Sequence, residues 1–232
     1  MRRLAILGGG GHGKVVADAA EACCRWDDIV FYDDAWPQRV ENGPWPYVGS
    51  IHAFMQLPSD SCDVVVAIGD NALRARIAFQ LQDAGFSLVN VIHPASSVSR
   101  HASIGAGSVV FAGAVINIGA MLGPACIINT GAIVEHDCVL GTAVHVSPGA
   151  NLAGEVGIGD ASWIGIGACI RQQITVGSKV MIGAGAVVVS DVPDGVTMVG
   201  NPARIMHRKE TDRREETSHA EYPVPPVAKL HK

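Results

Sequence analysis

From Val98 to Asp191 the hydrophobic positions of the chain recur every six residues. Stepping by six from Val98, through Val110, Val134 and Ile164, reaches Val188 in sixteen successive positions, each of them Val, Ile or Leu. The residues between are small or polar, as in IGAGSV and IGAGAV, and the fourth residue past each anchor is usually Ala, Ser or Cys. A helix needs a period of 3.6 and an ordinary strand a period of 2, so neither accounts for this spacing. A hexapeptide period is the mark of a β-helix, a solenoid in which each apolar anchor is buried only by stacking on its neighbours.

The pattern ahead of the repeat is different. RLAIL reads as a strand, GGGGHG as a turn, KVVADAAEA as a helix, and DDIVFYDD as a second strand ending at Asp33 and Asp34. After a loop bearing Trp36, Pro44 and Trp45 come a third strand (CDVVVAIGD), a helix ending at Gly85 and a fourth strand (FSLVNVIH). Strands alternating with helices predict a small Rossmann-like parallel α/β sheet. The predicted organisation is therefore an α/β domain at 1–92, an all-β parallel β-helix with a C-terminal cap at 93–209, and a charged, Pro-rich, disordered tail at 210–232. Within the cap, DVPDGVTMVGNPARIMHRK reads as a loop and a short helix.

Composition narrows the function classes. With 232 residues the chain has ample length for two cores, and a formal net charge of −5 gives no electrostatic reason to expect nucleic acid or an anionic membrane as partner. No run of eighteen apolar residues predicts a membrane span, and the N-terminal apolar run is too short for a signal peptide. The six cysteines form no CxxC pair and read as reduced, mostly buried small hydrophobes of a cytoplasmic protein.

Two places carry candidate chemistry. Gly8, Gly10 and Gly13 satisfy G-x-G-x-x-G between a strand and a helix, with Asp33 and Asp34 some twenty residues on. That is the dinucleotide-binding fingerprint, in which backbone and helix terminus meet phosphate and a carboxylate meets ribose. A Gly-rich turn without a ligand is the bland alternative. An NAD dehydrogenase fits worse, because the sheet is too short for two mononucleotide halves. Gly69 marks another strand end at the carboxyl edge, where such sheets bind ligands.

The second place is Glu135-His136-Asp137, directly after anchor Val134. If three hexads make one coil, residues eighteen apart stack, and Gly154 lies above His136. An outward histidine flanked by acids suits a general base, since a carboxylate fixes its tautomer and stabilises the imidazolium. A polar surface corner looks the same, and a metal site from His136, His145 and His101 is a third reading. His145 also faces outward, half a coil away, so the two histidines share a ligand only across a subunit interface. Cys138 raises a thiol nucleophile, but it occupies the inward small position and reads as core.

The hexads resemble those of left-handed β-helix acyltransferases. LAILGGGGHGKVVAD, FYDD, AIGD, NTGAIVEHDCVLGTAVHVSPGANLAG, WIGIGACI, IGAGAVVVSDVP and GNPARI together are similar to the nucleotide-amino-sugar N-acetyltransferases and the related sialic-acid O-acetyltransferases, over roughly residues 3–207. The resemblance implies transfer of acetyl from acetyl-CoA, as co-substrate and without a metal, to the amino group of a nucleotide-linked 4-amino-deoxysugar. Acetylation of a sugar or sialic-acid hydroxyl is the alternative, and a non-catalytic nucleotide-sugar scaffold a third. It implies His136 as base, Asp137 as its acidic partner, the Gly154 amide at the oxyanion, and Asn129 near the same pocket. It places His145, Ile166 and Ala184 on acetyl-CoA, and Gly10, Gly11, His12, Asp33, Asp34 and Gly69 on the nucleotide-sugar. It also implies a homotrimer with active sites between subunits.

Overall fold

A computed structural model describes residues 2–206; the tail predicted at 210–232 lies outside them. The N-terminal part is a five-stranded sheet of β1 (Arg3–Leu7), β2 (Asp28–Tyr32), β3 (Glu41–Asn42), β4 (Trp45–Gly49) and β5 (Asp63–Val66), in the order β3-β4-β2-β1-β5. All pairs are parallel except the β3–β4 hairpin. Central β1 is fully buried from Leu4 to Leu7, as expected of a parallel strand covered on both faces. Leu4 and Ile6 pack with Val16, Ala19 and Ala20 of helix α1 (Gly11–Ala22). Ala5 and Leu7 face the opposite layer, with Phe54 of α2 (Ile51–Phe54) and Ile77, Ala78 and Leu81 of α3 (Asn71–Asp83).

The structure alters the sequence reading in three places here. The loop after Asp34 contains the β3–β4 hairpin, in which Trp45, Tyr47 and Gly49 are buried and Pro46 and Val48 exposed. The fourth strand is only a bridge between Leu88 and Val64, and Val91–Ile92 instead pairs with Val109–Val110 of the solenoid. Of the six cysteines only Cys126 and Cys138 are buried, while Cys24 and Cys169 are exposed.

Beyond residue 90 the chain forms a three-sided parallel β-helix. Each of the sixteen anchors ends a two-residue strand, and partners are eighteen residues apart, as in Ile127↔His145, His145↔Trp163 and Trp163↔Met181. Three hexads therefore make one coil. From Val110 onward every anchor is at most 5% exposed, and full burial of such a side chain stabilises by about 1.5–3 kcal/mol relative to exposure. The Ala, Cys and Ser at the fourth position fill the narrow corners of the prism.

A second six-residue series shows only in the backbone. Every sixth residue from Gly107 to Gly185 has positive φ, including Ala125, Asp137, Ala143 and Ala161 among the non-glycines. These left-handed residues turn each corner. The last coil is closed by Thr197–Val199, parallel to Met181–Ile182, with Arg204–Ile205 returning antiparallel. The cap thus uses a strand pair where the sequence reading placed a short helix, and this pair occupies the backbone groups of the terminal coil.

Candidate active site

His136 stands on the corner after strand Ile133–Val134, with its side chain about half exposed. The next residue, Asp137, has φ 59°, and this left-handed turn brings its carboxylate back to the imidazole, Oδ2 to Nδ1 at 2.9 Å. Aspartate tolerates this conformation better than most residues. With the carboxylate accepting, Nδ1 carries the proton and Nε2 presents a lone pair. The Asp137 hydrogen bond raises the His136 pKa from its ordinary value, helped by the negative charges of Asp137, Glu135 and Glu155. Glu135 itself turns away from the ring and accepts from Asn117 Nδ2 at 2.8 Å.

Two glycines make room for this pair. A methyl on Gly154 would overlap the imidazole at Nε2 and Cε1, and a methyl on Gly119 would overlap the Asp137 carboxylate. The stacking of Gly154 on His136 follows from the eighteen-residue coil, with Glu155 N donating to His136 O at 2.9 Å. Among the described residues the Gly154 N–H has no acceptor. An unprotonated Nε2 and a backbone donor without an acceptor therefore lie together at one corner, the imidazole exposed and Gly154 buried beside it.

His145 has the opposite surroundings. It points out of the prism as expected, but the N-terminal domain covers it, leaving it 6% exposed. Its ring lies 4.1 Å from Trp163 and 6.3 Å from His12, centroid to centroid. Asn129 Oδ1 accepts from Thr130 N, so Nδ2 is the group donating to His145 Nε2, at 3.1 Å. His145 Nδ1, His12 Nε2 and Ser147 Oγ are buried without a partner among the described residues. Burial lowers the pKa of His145 to about 3 and of His12 to about 4, with the Arg74 charge acting in the same direction. Both imidazoles are therefore neutral at physiological pH.

Within one chain the structure separates the residues singled out from the sequence. His136, Asp137 and Gly154 share one corner. Asn129, expected near that pocket, instead bonds His145 on another side of the prism. Ile166 and Ala184, both exposed, stack one coil apart on the corner next to Asn129 and Ser147. Cys138 is fully buried in the solenoid core, and its thiol donates to Ala153 O at 3.2 Å; burial raises its pKa, which leaves it a poor nucleophile. Among the described residues no three His, Cys, Asp or Glu side chains converge as a metal site.

The glycine loop divides into structural and open positions. A methyl at Gly13 would strike Gly8 O, and one at Gly9 the Tyr47 ring, whereas Gly10, Gly11 and Gly69 have nothing within 4 Å. These three line the carboxyl edge of β1 and β5 beside the α1 N-terminus, the geometry that receives an anionic ligand. Asp33 is occupied by the backbone: Oδ2 accepts from Gly9 N at 2.7 Å and Oδ1 from Ala35 N at 2.8 Å. Asp34 Oδ1 accepts from Ile51 N at 3.2 Å. Tyr47 OH and Asn42 Nδ2 both donate to Gly9 O, at 2.5 and 2.7 Å. Sequence reasoning named none of Asn42, Tyr47 and Arg74, whose contacts join segments far apart in the chain.

Comparison with known proteins agrees with this architecture. Residues 3–81 match the PglD N-terminal domain family. The acetyltransferase domain of PglB from Neisseria gonorrhoeae FA1090, solved in complex with acetyl coenzyme A, is 47% identical, with 88% of this chain and 99% of that one covered at a TM-score of 0.86. PerB from Caulobacter crescentus, solved with CoA and GDP-perosamine, is 40% identical, with 89% and 98% covered at a TM-score of 0.83. The UDP-N-acetylbacillosamine N-acetyltransferase of Bacillus subtilis (strain 168) is 38% identical over 114 residues, which span 48% of this chain and about half, 52%, of that enzyme.

Proposed function

Because the chain belongs to the PglD-like family of left-handed β-helix sugar N-acetyltransferases, we propose that it moves the acetyl group of acetyl-CoA onto the amino group of a nucleotide-linked 4-amino-deoxysugar. The observation that carries the reading is the His136–Asp137 pair seated over the bare backbone of Gly154.

In this mechanism the sugar amine attacks the thioester carbonyl while His136 Nε2 removes its proton. Asp137 holds the opposite ring nitrogen in its protonated tautomer and stabilises the imidazolium. The Gly154 N–H donates to the tetrahedral oxyanion, a preorganised contact strongest where charge develops. Collapse of the intermediate breaks the C–S bond, and the imidazolium returns its proton to the leaving thiolate. No acyl-enzyme forms, in keeping with the buried, high-pKa thiol of Cys138.

The coenzyme lies along the Ile166–Ala184 edge, with Asn129 and His145 behind it. The nucleotide rests on the open amides of Gly10, Gly11 and His12 and on Gly69. Asp33 acts by shaping the loop, because both its oxygens are engaged, and Asp34 flanks it. The separation of these residues from His136 within one chain supports a threefold homotrimer, in which the His136 corner of one subunit meets the coenzyme edge of the next. The cytoplasm, where acetyl-CoA is made available, is the site of action; no described helix is long and apolar enough to cross a membrane.

Replacing His136 by Ala should lower kcat by about 10²-fold or more with the melting temperature retained. Steady-state kinetics with product mass as the readout check this, and an unchanged rate would remove His136 from the mechanism.

A further inference from the structure

Arg74, in the first turn of α3, is 1% exposed and has only uncharged oxygens for partners. Nε donates to Ala125 O at 2.9 Å, one terminal nitrogen to Ile68 O at 2.8 Å and Gly69 O at 3.1 Å, and the other to Asn71 Oδ1 at 2.7 Å and Ala143 O at 2.8 Å. Burial lowers its pKa to about 10, so it remains charged at neutral pH. A guanidinium buried without a carboxylate is costly, and simple adhesion between two domains would be served as well by an apolar side chain.

The acceptors explain what the fork adds. Ile68 and Gly69 form the carboxyl edge of β5, beside the open glycines. Ala125 and Ala143 are left-handed corners of the solenoid, one coil apart. Asn71 extends the series to the next corner, donating to Ala161 O at 3.1 Å and Ser162 O at 3.2 Å. The methyls of Ala125 and Ala143 are buried in the same cluster as Ile77 and Leu81 of α3. Three alanines thus hold a left-handed corner conformation where their carbonyls meet α3, and the methyls of Ala125 and Ala143 pack there as well.

We propose that Arg74 is a positioning residue for the acyl transfer: by tying the edge of β5 to the Ala125 and Ala143 corners, it sets the height at which a nucleotide-held sugar amine meets a thioester lying on the solenoid. The proposal rests on the acetyl-transfer reading above. A planar five-donor fork fixes such a register in a way that a flexible ammonium does not.

The test measures kcat, the two KM values and the melting temperature for wild type, Arg74→Met and Arg74→Lys. In this reading the exposed Ile166–Ala184 edge that receives the coenzyme belongs to the solenoid, whereas the amine is placed through the β5 edge. Positioning therefore predicts a kcat lower by about 10²-fold in Arg74→Met, because displacement of about an ångström costs that much. The nucleotide-sugar KM should rise and the acetyl-CoA KM stay unchanged, with Arg74→Lys recovering part of kcat. If Arg74→Met does not fold, Arg74→Lys decides by the same split at smaller amplitude. Wild-type constants in the folded variant, or a kcat loss that only tracks the folded fraction with both KM values unchanged, would overturn the proposal. A wild-type chain that acetylates no amino-sugar nucleotide would instead overturn the acetyl-transfer reading itself.

Discussion

His136 and His145 are nine residues apart in one repeat, and the fold gives them opposite chemistry. His136 stands at an open corner, where Asp137 holds its Nδ1 and raises its pKa. His145 lies on a neighbouring face beneath the N-terminal domain, against Trp163, with its pKa lowered to about 3 by burial. One is a base whose charged form is supported, and the other is an imidazole held neutral. The repeat puts His136 at a turn and His145 in a strand on another face, and what covers each face sets their chemistry apart.

That contrast is broken most severely at Gly154. Its φ is ordinary, so Ala is acceptable to the backbone, and only the imidazole must give way. Gly154→Ala should lower kcat by roughly 10²-fold while circular dichroism and melting temperature stay near wild type. A wild-type rate would show that the ring does not occupy that space in solution.

A smaller effect, about tenfold on kcat, is expected of Asp137→Asn, which keeps the shape but removes the charge. The sign of its pH dependence is the sharper readout. A raised pKa depletes the neutral base as pH falls, so wild type should lose activity through a pKa above the ordinary histidine value. Without the carboxylate that acid limb should move to lower pH, and a pH–kcat profile with an unmoved limb would refute the assigned role.

The least disruptive probe concerns the buried side. His12 and His145 have folded pKa values of about 4 and 3, below the unfolded value of roughly 6.5. Between those limits the unfolded chain binds more protons than the folded one, so acidification from pH 6.5 toward 4 removes stability, by up to about 1.4 kcal/mol per pH unit for each ring. His145→Gln should melt with a shallower pH slope than wild type over that range. Equal slopes would mean that the His145 ring is not held neutral beneath the N-terminal domain.

Legibility in the sequence followed the same division. The six-residue period predicted sixteen strands, and the eighteen-residue coil placed Gly154 against His136, because covalent spacing alone sets that register. The same spacing could not show that Asn129 bonds His145, since the contact depends on side chains crossing between coils. Asp33 matched a ribose-binding motif, yet its oxygens serve Gly9 N and Ala35 N. A motif specifies residue types at intervals and leaves open which backbone amide reaches them first. Arg74 carries no local signal, since an arginine in NALRARIAFQLQD looks like any solvated helix position.

By itself, then, the sequence determined the periodic half of the molecule. Hexads of one apolar anchor and one small corner residue can bury their hydrophobic surface only as stacked coils, and stacking fixes every residue eighteen from its neighbour. Tertiary structure alone decided which face the N-terminal domain covers, and through that the neutral state of His145 and the burial of Arg74. These depend on the docking of two separately encoded surfaces. A carbonyl ladder at Ala125, Ala143 and Ala161 finds its donors in α3 only once both domains have folded.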